Sequence, residues 1–231
     1  RAQSTPAIDE GLRQYMMSVY NYMASGLALT GLVAYMLFQA TAVTGPTGDI
    51  VGLTSLGVTL YTGPMMWVVA LAPLGIVMYM SFGIRNMSAS RAQTMFWIFA
   101  FLMGLSLSTI FITYTGASIA RVFFITASTF GAMSIYGYTT KRDLTGFGSF
   151  LFMGLIGIII ASIVNIFMQS PALYYGISIL GVLIFVGLTA YDTQKIKNMY
   201  MAYDSAEVAA KKAIMGALTL YLDFINLFIM L

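Results

Sequence analysis

Apolar runs of membrane-spanning length, separated by short polar punctuation, account for nearly the whole chain. A spanning helix needs about 20 mainly apolar residues, and runs of that kind lie at 17–40, 64–84, 94–114, 119–138, 147–168, 173–193 and 212–231. The connections differ in character. Residues 44–63 are rich in Gly, Thr and Pro and carry only Asp49, which reads as an external loop with a re-entrant or interfacial piece. Arg85 to Arg91 is a short basic turn, Thr139-Thr140-Lys141-Arg142-Asp143 a compact charged loop, and Gln194 to Lys212 the longest charged loop. Pro73, inside the second run, removes a backbone donor and predicts a kink. In the fifth run, Gly154, Gly157 and Ala161 recur at the small-residue spacing that lets helices approach closely. The expected fold class is all-α: a polytopic membrane protein, a bundle of seven transmembrane helices in a single membrane domain over residues 1–231.

Charge orients this frame. Lys and Arg stand in a polar N-terminal arm, beside Asp9 and Glu10, and in the second, fourth and sixth connections, and almost none in the others. Basic residues collect on the cytoplasmic side, so the N-terminus is expected inside and the C-terminus outside. Arg121, early in the fourth run, breaks the alternation and reads as snorkelling to the outer interface. Asp204, with Glu207 three residues on, reads as a capping box. The last helix is then expected to start before the membrane, with Lys211 and Lys212 at or below its cytoplasmic surface. The polar stretch up to Gln14 carries no signal-peptide pattern.

Composition narrows the chemistry. The 231 residues are 59% hydrophobic and 8% charged, whereas about a quarter of a soluble domain is charged. No cysteine or histidine is present, which removes disulfides, thiolate or imidazole metal sites and Cys-His or Ser-His nucleophiles. The net charge of +3 is too small and too dispersed to point to nucleic acid. A retinal protein is set aside because the last run has no central lysine for a Schiff base.

What remains is a pair of acids in apolar surroundings, Asp192 near the end of the sixth run and Asp223 in the middle of the seventh. An ionisable group in a membrane helix is disfavoured by several kcal/mol unless it finds a partner or a wet cavity. Depth is the difficulty: Asp192 lies three residues before Lys195, while Asp223 lies eleven beyond Lys212, roughly 16 Å along a helix. They meet only if the last helix starts outside the membrane or bends; otherwise each is solvated separately in a vestibule. Where they meet, both cannot ionise cheaply, so one holds a proton and the pair titrates as a unit. Arg85 or Arg91 could add a charge partner, although Arg91 reads more simply as topogenic charge. Asn165, Asn226, Ser106 and Ser108 either line a path or bridge helices. The many Met, Phe and Tyr residues read as packing and interface anchors.

Four blocks carry a resemblance: Gly104-Leu105-Ser106-Leu107-Ser108, Tyr136 to Leu144, Gly187-Leu188-Thr189-Ala190-Tyr191-Asp192-Thr193-Gln194, and Leu218 to Phe228. Together they resemble the bacterial branch of the transmembrane Bax-inhibitor-motif family, over essentially all seven runs. The resemblance implies a seven-helix bundle with a central last helix in the bacterial cytoplasmic (inner) membrane, acting as a pH-sensitive calcium leak. It implies that Asp192 and Asp223 form the pH sensor and gate, with Arg85, in Ser81-Phe82-Gly83-Ile84-Arg85, bonding them. It also implies a stress or cell-death regulator among its members, and in some bacterial members binding of a membrane protease.

The leading expectation is therefore a cation leak, not an enzyme, in which Asp192 and Asp223 form a weak transit site for calcium and no cofactor is held. Calcium prefers several oxygen ligands, and weak binding suits conduction. The expected partners are the lipid bilayer, calcium ions and a membrane protease or other membrane protein. An intramembrane aspartyl protease is a rival, since paired acids sharing a proton are its machinery. Against it, Leu220-Tyr221-Leu222 stands where that architecture places glycines, and no Pro-Ala-Leu follows. A non-conducting regulator bound to a membrane partner is the third class.

Overall fold

A computed structural model describes residues 6–46 and 49–231. In chain order the elements are α1 (Pro6–Thr41), β1 (Ala42–Thr44), β2 (Ile50–Leu53), α2 (Ser55–Tyr61), α3 (Pro64–Gly83), a 3-10 turn at Ile84–Asn86, α4 (Ala89–Leu107), α5 (Ile110–Thr113), α6 (Gly116–Thr139), α7 (Thr145–Met168), α8 (Pro171–Asn198) and α9 (Ala206–Met230). Seven helical stretches among the described residues are long and apolar enough to cross a membrane. The protein is an all-α polytopic membrane protein. α9 is its most enclosed span, 61% buried over its apolar window against 11% to 28% for the rest.

Several expected boundaries move, each for a local reason. The N-terminal arm is not a separate polar segment, because α1 starts at Pro6. There Gln14 donates to Glu10 at 3.2 Å and Arg13 pairs with Glu10 at 3.6 Å, the i, i+4 and i, i+3 contacts that support a helix. Residues 1–5 of that arm lie outside the described residues. The Gly- and Thr-rich loop after α1 contains a β-hairpin, with Ala42 opposite Leu53, Val43 opposite Gly52 and Thr44 opposite Ile50. Its Val, Thr and Ile residues favour extended backbone. α2 follows, capped by the Thr54 hydroxyl, which accepts from the Gly57 N–H at 3.2 Å. α3 runs as a single helix through Pro73.

The longest charged loop shrinks to residues 199–205. α8 continues to Asn198, with Lys195 and Lys197 in its last turn, where cations offset the negative end of the helix dipole. The capping box expected at Asp204 is not formed. Ser205 is the cap: its hydroxyl accepts from the Val208 N–H at 3.3 Å and its carbonyl from Ala209 at 2.9 Å. Asp204 turns instead to Lys212, at 2.6 Å. Glu207 accepts from the Ala89 N–H at 3.1 Å, serving the start of α4 instead of its own helix.

The chain divides into two compact units. One comprises Arg1–Met16, Ala120–Ala202 and Leu218–Leu231; the other comprises Met17–Ile119 and Tyr203–Ala217. In the first, glycines set the helix approaches. A Cβ at Gly137 would meet the Ala190 carbonyl oxygen at 2.2 Å, one at Gly148 the Tyr191 ring at 2.4 Å, and one at Gly154 the end of Ile184 at 2.8 Å. Nothing lies within 4 Å of such an atom at Gly157, so of the two glycines in the Gly154, Gly157, Ala161 stripe Gly154 marks a close contact and Gly157 does not. Phe224 packs edge-on against Phe123 and Phe130, at 5.7 and 5.5 Å between ring centres.

In the second unit, Thr30 donates to the Ala100 carbonyl at 2.8 Å. The Tyr61 hydroxyl bridges Thr41 at 3.2 Å and Ser108 at 2.7 Å. Lys211 donates to the Met87 carbonyl at 3.1 Å.

Candidate functional site: a di-carboxylate cavity

Helical spacing assembles the site within the first unit. Thr219, Leu222, Asp223 and Asn226 share one face of α9, since residues three and four apart stack along a helix. Leu188, Asp192 and Lys195 do the same on α8, and Gly148, Phe152 and Leu155 on α7. These faces bound a cavity of about 580 Å³. Its walls divide by chemistry, with Thr219, Asn226 and both carboxyl groups polar, and Phe152, Leu155, Phe185, Leu188 and Leu222 apolar.

Asp192 and Asp223 are 9% and 6% exposed, and their carboxyl groups stand within hydrogen-bonding reach of each other. The depth difficulty disappears because α9 starts at Ala206, well before the level of the acids. One oxygen, Asp223 Oδ2, is completely buried and has no hydrogen-bond partner among the described residues. A buried acceptor left unpaired costs about 1–3 kcal/mol, so this arrangement favours any donor that reaches it. The cation in the wall is Lys195, exposed, within electrostatic reach of both acids. Its Nζ lies 5.8 Å from the centre of the Tyr191 ring.

The ends of α6, α7 and α8 are tied together just beyond the acids. Gln194 accepts from the Leu144 N–H at 2.9 Å and donates to the Arg142 carbonyl at 2.8 Å. Lys197 donates to the Tyr138 carbonyl at 2.7 Å. In the intervening loop the Asp143 carboxylate accepts from the Thr145 hydroxyl at 2.6 Å and N–H at 2.9 Å. Those two bonds favour the charged form and hold the carboxyl below its ordinary value.

Residues 12–231 match the family model described as inhibitor of apoptosis-promoting Bax1. The chain belongs to this Bax-inhibitor family. It is 50% identical to an uncharacterized protein of Rickettsia prowazekii (strain Madrid E), over 96% of this chain and 89% of the relative. It is 47% identical to an uncharacterized protein of Caulobacter vibrioides, over 98% and 92%. It is also 48% identical to the inner membrane protein YbhL of Escherichia coli (strain K12), over 96% and 90%.

In this Bax-inhibitor family member each of the other expected site residues is placed within its own unit. Asn226 shares the cavity with the acids. Asn165 accepts from the Ser170 N–H at 3.0 Å, bracing the turn from α7 to α8. Ser108, fully buried in the second unit, donates to the Leu105 carbonyl at 2.6 Å besides its bond with Tyr61. Ser106 lies in α4 of that unit, half-buried. Arg85 lies there too, exposed in the 3-10 turn, and Arg91 donates to the Tyr79 hydroxyl and stacks on its ring.

In the sequence Lys195 and Gln194 look like ordinary polar residues at the end of a span. The i, i+3 step from Asp192 to Lys195 was the available signal, since it puts both on one helix face. Among the described residues no group of three or more His, Cys, Asp or Glu could hold a metal. The acids and Asn226 together carry fewer side-chain oxygens than the six to eight ligands that calcium takes when firmly bound.

Proposed function

We propose that this Bax-inhibitor family member is a pH-sensitive calcium leak of the bacterial inner membrane, with its N-terminus inside and C-terminus outside, gated by a proton shared between Asp192 and Asp223. The observation that supports the reading most directly is the approach of the two buried carboxyl groups in one cavity, with Asp223 Oδ2 unpaired. Two acids this close resist simultaneous ionisation. With one proton the pair attracts itself and holds α8 to α9; without it the carboxylates repel and the helices part. The freed oxygens, with the Asn226 amide, form a weak transit site suited to conduction. Lys195 supplies the compensating charge that keeps the ionised state accessible.

The sign follows from that scheme: the leak rises with pH. Purified protein in calcium-loaded liposomes is expected to release calcium faster as pH increases, and Asp223→Asn, which cannot ionise, is expected to flatten the profile. An unchanged pH profile in Asp223→Asn sinks the gate. Absence of flux at every pH, with a stoichiometric membrane partner recovered from native membranes, replaces the leak with a non-conducting regulator.

A further inference from the structure

The cavity is far larger than an ion path requires. A liquid water occupies about 30 Å³, whereas this space is about 580 Å³, within the roughly 300–1,000 Å³ typical of small-molecule sites. Its larger wall is apolar and comes from three helices: Phe152 and Leu155, Phe185 and Leu188, and Leu222. A permeating cation gains nothing from that wall. Phe152 is 58% exposed, so the apolar side reaches the outer face of α7, where a molecule dissolved in lipid arrives. At the polar side sits the fully buried, unpaired Asp223 Oδ2.

We infer that the cavity binds a lipid-soluble organic amine, its ammonium on the Asp192–Asp223 pair and its hydrocarbon body against the apolar wall. An ammonium carries several donors for the carboxyl groups that line the cavity, while its charge replaces the proton the acids would otherwise share. Charge-assisted bonds of this kind are about twice as strong as neutral ones. Lys195 sets the fit on its own side: its head lies over the Tyr191 ring, one turn beyond Asp192, and leaves the buried oxygen free. The site goes beyond the proposed leak, because binding requires no conduction.

The test uses the detergent-solubilised full chain, 1-aminoadamantane and its neutral isostere 1-adamantanol, reading the shift in unfolding temperature. The amine is expected to bind about tenfold or more tightly than the alcohol, the difference a charge-assisted bond to a buried acceptor makes. Asp223→Asn is expected to abolish the amine's shift. Leu155→Trp, which fills the apolar side and leaves the acids in place, is expected to do the same and decides the matter if Asp223→Asn does not fold. Equal shifts from amine and alcohol, no shift from the amine, or a shift that survives in both variants overturns the site. The amine pattern in a protein that passes no calcium removes the leak and keeps the site; a pH-dependent leak with no amine shift does the reverse.

Discussion

The Tyr191 ring occupies the space that a side chain at position 148 would take, with a Cβ there only 2.4 Å from the ring. The missing side chain on α7 lets Tyr191 lie between two helices and form the wall of the cavity beside Asp192. Gly148→Ala therefore displaces an aromatic ring. Gly137→Ala is worse placed, because it meets the Ala190 backbone carbonyl at 2.2 Å, which has no rotamer to change. Gly157→Ala meets nothing within 4 Å and improves helix propensity by up to about 1 kcal/mol. Overpacking costs about 1–3 kcal/mol and occasionally more. Thermal unfolding in detergent is expected to rank the three with Gly137→Ala least stable, Gly148→Ala next and Gly157→Ala at or above the parent. Equal stability at 137 and 157 refutes the close crossing of α6 and α8.

What could be read in advance follows from range. The spans depend on runs of apolar residues, a local signal, and Asp192 and Asp223 stood out because a carboxylate in such a run is anomalous wherever it sits. Pairing them requires α9 to start early, which the polar residues 204–207 signal, although the cap is Ser205 and not Asp204. The hairpin after α1 was hidden because its strands are only three and four residues long and lie among glycines and threonines that read equally as loop. Gln194 and Lys195 carry no distinct signal, because a polar residue at the end of a span usually marks only the interface. The partners of Gln194, Leu144 and Arg142, come from distant sequence, and of the two acids facing Lys195 one, Asp223, comes from another helix.

Gln194 tests that reading of the interface. Its side chain is the acceptor for the Leu144 N–H, and Leu144 is 7% exposed, so Gln194→Leu leaves a donor unpaired out of water at a cost of about 1–3 kcal/mol. Gln194→Glu keeps that acceptor and loses only the donor to the Arg142 carbonyl, so its loss is expected to be smaller. Amide exchange at Leu144 separates the variants: fast in Gln194→Leu and near the parent rate in Gln194→Glu. Slow exchange in both shows that the loop holds itself without Gln194.

The same loop carries a pH signature outside the membrane. Asp143 is held below its ordinary value by the Thr145 hydroxyl first and its N–H second. A depressed carboxyl contributes to stability at pH values above its unfolded value, and the contribution is lost as pH falls through the lower folded one. Thr145→Val removes the larger contact and keeps the β-branched shape. Carboxyl chemical shifts followed by acid titration are expected to show Asp143 titrating at higher pH in Thr145→Val than in the parent. Coincident curves mean that the backbone bond alone sets the value.

The start of α9 decides whether Asp223 reaches Asp192, and two assignments of its cap make opposite forecasts. With Ser205 as the cap, Ser205→Ala deprives the Val208 N–H of its acceptor and costs about 1 kcal/mol. Amide exchange at Val208 then accelerates. With the capping box at Asp204, the sensitive substitutions would instead be Asp204→Ala and Glu207→Gln. In the structure those act elsewhere: Asp204→Ala removes the carboxylate that Lys212 pairs with at 2.6 Å, and Glu207→Gln weakens the bond to the Ala89 N–H at the start of α4. Hydrogen exchange measured residue by residue over 204–212 and 87–92 is expected to show Ser205→Ala loosening the first turn of α9, and Glu207→Gln loosening the first turn of α4 while leaving Val208 protected. Protection of Val208 that survives Ser205→Ala but fails in Glu207→Gln returns the cap to Asp204.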